Sequence, residues 1–116
     1  MATRANLFVD QGSDFISQVE LENATSDKMD LQDITFTGQV RKSAYSVNAY
    51  DFYIDKVANV DGVIRISIDS SVTESMKGGI YVYDIYGHDS TTGTTFKALE
   101  GMLEVIPQVT RANSNG

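Results

Sequence analysis

The 116-residue chain reads as an all-β domain, an immunoglobulin-like antiparallel β-sandwich of seven or eight strands with one short helical turn. Three observations predict it. Apolar residues recur with a period of two rather than 3.6. The alternating runs are short, and Gly, Asp, Asn and Ser clusters separate them about every 8 to 12 residues. The connections suit antiparallel neighbours. A small closed barrel shares this periodicity and is the rival architecture.

Asn6 to Asp10 makes the first strand, closed by the turn Asp10-Gln11-Gly12-Ser13-Asp14. Phe15, Ser17, Val19 and Leu21 then alternate with Ile16, Gln18, Glu20 and Glu22, the pattern of a half-buried strand. Asn23 to Asp30 is polar and aperiodic, a loop. In the next strand Ile34, Phe36, Gly38 and Val40 face one way, and Thr35, Thr37, Gln39 and Arg41 the other.

Tyr50, Phe52 and Ile54 alternate with Asp51, Tyr53 and Asp55, and Ile64, Ile66 and Ile68 with Arg65, Ser67 and Asp69, so the two runs form a hairpin. A two-residue loop at Asp61-Gly62 would turn the apolar rows to opposite faces. An odd loop keeps them together, in either of two registers. One pairs Ile54 with Ile66 and Asp55 with Arg65; the other pairs Ile54 with Ile68 and sets Gly62 at a left-handed position. Ser71-Val72-Thr73-Glu74 has the spacing of a capping box and predicts a single helical turn.

The most strongly β-favouring segment follows, Ile80 to Tyr86, with Tyr81, Tyr83 and Ile85 assigned to the core and Ile80, Val82 and Asp84 to the outer face. Gly87 to Thr95 reads as a polar loop, and Phe96 to Ile106 as a last strand whose change of parity predicts a bulge or break near Gly101. The predicted sheet edges are Asn6 to Asp10 and Leu103 to Ile106. One domain spans residues 1–111, and residues 112–116 form a flexible polar tail. Tyr81 takes the place of the corner tyrosine of such sandwiches, and Tyr83 stands about where a disulfide-bonded cysteine would. Aromatic packing must then join the sheets.

Composition restricts function. Nine Lys plus Arg against 16 Asp plus Glu give a net charge of −7, with no basic run to neutralise phosphates, so nucleic acid is not an expected partner. The absence of Cys removes disulfides, thiolate metal sites and a cysteine nucleophile. No apolar run approaches the roughly 20 residues of a membrane span, and no membrane partner is expected. His88, the single histidine, sits with Asp89 and Ser90 in a polar loop without the geometry of a triad. Phosphate-loop, nucleophile-elbow, dinucleotide and zinc-protease motifs are missing. No catalytic residue, cofactor or metal ligand is assigned.

Asp27, Asp30 and Asp33, with Asn23 and Ser26, offer hard oxygen donors of the kind calcium takes, but not at the spacing of a calcium loop, and they read as solvated carboxylates. Asp51, Asp55 and Asp69 read the same way. The candidate partner-contact residues are Tyr45, Tyr50 and Tyr53, flanking the loop at 42–48, and His88, Asp89, Thr91 and Thr92 in the later loop.

The segment order resembles small virion proteins and domains of tailed bacteriophages, including the N-terminal domain of baseplate upper proteins. The shared pieces are Val9-Asp10-Gln11-Gly12-Ser13-Asp14-Phe15, Leu31-Gln32-Asp33-Ile34-Thr35-Phe36 before Gln39-Val40-Arg41-Lys42, and Gly62-Val63-Ile64-Arg65-Ile66-Ser67-Ile68. Gly79-Ile80-Tyr81-Val82-Tyr83-Asp84-Ile85 and Leu99-Glu100-Gly101-Met102-Leu103-Glu104-Val105 with Val109-Thr110-Arg111 complete them. The resemblance implies a β-sandwich building block of the virion with no catalytic residue to carry over. The partners it implies are other virion proteins, met in many copies on the particle. The sequence stops directly after the domain, so the expected role is a connector, decoration or minor tail, neck or baseplate subunit. The alternative expectation is a host-surface carbohydrate-binding module.

Overall fold

The computed structural model describes residues 3–22 and 27–110. It is an all-β sandwich of two sheets with one helical turn. The described residues form nine strands: β1 Thr3–Arg4, β2 Leu7–Asp10, β3 Phe15–Glu20, β4 Ile34–Arg41, β5 Tyr50–Asp51, β6 Tyr53–Ala58, β7 Val63–Ile68, β8 Gly79–Asp89 and β9 Thr94–Ile106. The helical turn, α1, spans Ser70–Thr73. The larger sheet has the order β1-β9-β8-β4-β5, with β2 also on β9, and the smaller sheet has the order β3-β7-β6. No ladder joins the two sheets among the described residues, which excludes the closed barrel.

The larger sheet is not purely antiparallel. β1 and β2 run parallel to β9, pairing Thr3 with Leu99 and Leu7 through Asp10 with Leu103 through Ile106. The two edges expected from the sequence therefore pair with each other, and the end of β9 is interior. Local alternation marks strands but carries no information about a partner some 96 positions away.

Two inward rows pack as their parity predicts. Phe15, Leu21, Ile34, Val40, Ile64, Ile66, Ile68, Tyr81, Tyr83, Ile85, Leu99, Leu103 and Val105 are buried. The run from Tyr50 to Asp55 divides between the sheets: β5 pairs with β4, Phe52 donates its N–H to the Gly38 carbonyl (3.0 Å), and β6 then joins β7. Gly38 makes room for this crossing, since a Cβ there would lie 2.7 Å from Ile85 Cγ1 and 3.1 Å from the Phe52 ring. Phe15, Phe52 and Tyr83 form a chain of rings across the sandwich, with centroids 6.4 and 5.6 Å apart. Aromatic contact thus links the sheets where a disulfide is impossible.

The β6–β7 hairpin combines features of both expected registers. Ile54 faces Ile66 and Asp55 faces Arg65, with an Arg65–Asp55 pair at 4.0 Å. A bulge at Val57 then shifts the ladder so that Ala58 faces Val63, which leaves Gly62 in the turn at φ +69°.

The capping box is not formed. The N-cap is Asp69, and its side chain makes no capping bond. The first helical N–H, of Ser70, instead goes to Asp14 Oδ1 at 2.7 Å, from the turn after β2. Thr73, fully buried, donates to the Ser13 carbonyl (2.8 Å) and accepts from the Gly12 N–H (3.1 Å). Long-range anchoring of α1 replaces the local cap.

The β8–β9 hairpin is longer than expected, with His88 and Asp89 inside β8 and a turn over residues 90–93. The parity change in β9 lies at Ala98, where the register shifts, rather than at Gly101. Gly101 serves another purpose: a Cβ there would come 2.0 Å from the Ala5 carbonyl oxygen, where the chain between β1 and β2 runs beside β9.

Candidate functional site

The expected contact residues do not form one site. Tyr45 projects from the β4–β5 loop and is 96% exposed. The loop beneath it is tied down: the Arg41 guanidinium donates to the carbonyls of Ser46 and Val47 and to Gln39 Oε1, while Gln39 donates to Asp51. Tyr50 is half-buried, its ring edge-on to Tyr81 at 6.3 Å, and belongs to the packing. Tyr53 is exposed on β6, in the other sheet.

The remaining four sit at the tip of the β8–β9 hairpin and mostly close it. Asp89 accepts from the N–H groups of Thr91 (2.9 Å) and Thr92 (3.4 Å), and Thr91 Oγ1 donates to Asp33 Oδ2 at 2.8 Å. His88 Nδ1 lies 2.9 Å from Thr95 Oγ1. Asp30 accepts from the Gln32 N–H, so Asp30 and Asp33 each have a structural task. No three His, Cys, Asp or Glu side chains gather in metal-binding fashion among the described residues. Asn23 and Ser26 lie outside the described residues.

The outer face of the larger sheet was not singled out from sequence, and it is the most distinctive surface. Phe8 pairs with Glu104, which pairs with Ile80; Val82 pairs with Met102, and Asp10 with Ile106. Phe8, Ile80, Val82, Met102 and Ile106 are all exposed, Phe8 at 63%. Neighbouring strands therefore carry one contiguous apolar patch around Glu104. The signal was present in the outward parity of Ile80 and Val82, two β-branched residues on a face expected to be polar.

Beside the patch lies a groove of about 770 Å³, lined by Arg4, Arg41, Lys42 and Lys97 together with Asp84 and Glu100. Four of the nine Lys and Arg residues thus converge in a chain of charge −7. Lys97 donates to Glu100 Oε1 at 3.3 Å, a bond that raises the ammonium pKa. Lys42 lies over the Tyr81 ring at 4.7 Å. Beneath the groove, burial pushes the Tyr83 hydroxyl up to about 12, with Arg4 opposing the shift.

No protein-family model matches the chain, and no curated protein does. Among solved structures it is similar to InlP of Listeria monocytogenes, at 12% identity and a TM-score of 0.42, over 92% of this chain and 28% of that one. It is also similar to a family 123 glycoside hydrolase of Clostridium perfringens, at 14% identity and a TM-score of 0.44, over 93% of this chain and 23% of that one. The chain spans about a quarter of the length of each.

Chemically, the outer face joins an apolar centre to charged surroundings. Of its charged side chains, Lys97 and Glu100 form a pair.

Proposed function

We propose that this protein is a non-enzymatic structural subunit of a tailed-bacteriophage virion, held by protein–protein contacts as a connector, decoration or minor tail, neck or baseplate component. The observation that carries the contact role is the apolar patch of Phe8, Ile80, Val82, Met102 and Ile106 on the outer sheet face. Side chains of this kind, contiguous and in water, have a hydrophobic gain still to make on association. The phage assignment draws on the sequence resemblance. An immunoglobulin-like type for the sandwich is part of the proposal, supported by the Tyr81 hydroxyl, which donates to the Lys77 carbonyl four residues upstream at 2.8 Å.

Mass spectrometry of purified particles of the encoding phage tests the reading, which predicts the protein among the virion components. The double substitution V82K/M102K should leave the fold intact and remove the protein from particles. Absence of the wild-type protein from virions, or normal incorporation of the double variant, overturns the proposal.

A further inference from the structure

Strand edges are where a sandwich leaves backbone hydrogen-bonding groups unmatched, and here they are unequally guarded. At one margin of the larger sheet, β1 and β2 are interrupted at residues 5–6 and include Arg4. At the other, β5 is two residues long, and the Lys56 ammonium donates to the carbonyls of Leu31 (3.1 Å), Gln32 (3.4 Å) and Ile34 (2.8 Å) beside β4. In the smaller sheet β6 has the bulge at Val57.

β3 has none of these devices. Phe15 to Glu20 pairs with β7 in unbroken register, from Ile68 to Val63, without Pro, Gly, Lys or bulge. The Leu21 N–H donates to the Gly62 carbonyl at 2.7 Å, one step past the ladder. That bond fixes the alternation: Phe15, Ser17 and Val19 turn their N–H and C=O groups toward β7, and Ile16, Gln18 and Glu20 turn theirs away. Those three residues make no backbone hydrogen bond on the open side among the described residues. Ile16 is 64% exposed, and inward-facing Val19 is only half-buried.

A second copy of β3 is a poor occupant. Antiparallel pairing centred on Ser17 sets Asp14 of one copy against Glu20 of the other, and pairing centred on Gln18 sets Asp14 against Glu22. Like charges directly opposed are destabilising. The same carboxylates favour a cationic strand.

We infer that the free edge of β3 takes an added strand, an extended segment of a different protein that is apolar toward the sandwich and basic toward solvent. It pairs with the outward groups of Ile16, Gln18 and Glu20, covers Val19, and sets Lys or Arg opposite Asp14 and Glu20. This surface is separate from the outer-face patch, and the inference holds wherever the protein resides.

The test titrates the full-length protein with two synthetic seven-residue peptides, Thr-Lys-Val-Lys-Val-Lys-Val and its Glu-for-Lys counterpart, and follows amide hydrogen exchange. In the free protein the Ile16, Gln18 and Glu20 amides should exchange at least about tenfold faster than those of Ser17 and Val19. The basic peptide should slow the first three, and the acidic one should bind at least about tenfold more weakly. Gln18→Pro removes an outward N–H and no ladder bond, so it should keep the native melting transition and lose the peptide. Glu20→Lys, at an exposed position, should cancel the charge preference, since Asp14 then stands with one cation. The inference is overturned if the three amides are already protected, if neither peptide slows them, or if both bind equally. Dimerisation that itself protects them overturns it as well.

Discussion

The Tyr83 hydroxyl donates to the Ala5 carbonyl at 2.6 Å, joining β8 to the N-terminal segment across 78 positions of sequence. The bond passes beside Gly101, whose missing side chain lets the Ala5 carbonyl approach. Ala5 also donates its N–H to the Glu100 carbonyl at 2.9 Å, and Asn6 Oδ1 accepts from the Met102 N–H at 3.3 Å. The interruption between β1 and β2 is thus anchored to β9.

Tyr83→Phe keeps the ring contact with Phe52 and deletes this bond. It should cost roughly 1 to 2 kcal/mol of stability, measured by chemical denaturation. Amide exchange at residues 3–10 should accelerate more than in β4.

The same hydroxyl sets an alkaline limit. Its folded pKa of about 12 lies above the unfolded value of 10.0, so folding favours the neutral form. The stabilisation is complete below pH 10 and is lost as pH rises from 10 to 12, when the unfolded state has already released its proton. Urea midpoints should fall across that window in wild type and flatten in Tyr83→Phe. A Tyr81 contribution, also raised by burial, should remain in the variant.

Gly101→Ala should be more damaging than Tyr83→Phe. Its Cβ would sit 2.0 Å from backbone oxygen, so β1 must leave β9 or the sheet must distort. A loss above about 2 kcal/mol is expected in denaturation, with protection at Thr3 and Arg4 abolished.

Asp14→Ala should cost about 1 kcal/mol, because it removes the acceptor for the first N–H of α1. Ser71→Ala should change the melting midpoint little, since no capping bond involves that hydroxyl. Equal losses in the two variants would refute the long-range cap.

Lys56→Met removes a cation from three carbonyls beside β4 and should cost roughly 1 to 3 kcal/mol. Light scattering on heating should also rise sooner, because the edge loses its guard.

What was legible in the sequence is what local periodicity encodes. The inward rows of β3, β4, β7 and β8 follow from alternation, and the lack of Cys pointed to aromatic packing at Tyr83, while its ring partners Phe52 and Phe15 emerged only from the fold. Pairing between distant segments left no local mark. The parallel docking of β2 on β9 depends on the whole larger sheet, and the Asp14 cap on a turn 56 positions from Ser70. Ser71-x-x-Glu74 was a local signal overridden by that contact. The apolar outer face was readable in Ile80 and Val82, but its extent depended on which strands bring Phe8 and Met102 alongside. The β3 edge could be recognised only once β9 had taken the N-terminal strands.

The parallel course of β1 and β2 along β9 has a mechanical consequence. Tension drawing Thr3 and Ile106 apart acts along the strands, so the ladder is loaded in shear. The evenly spaced bonds of a parallel pair then share the load, whereas a hairpin pulled from its open end parts one bond at a time. The sandwich is built to resist being drawn out lengthwise.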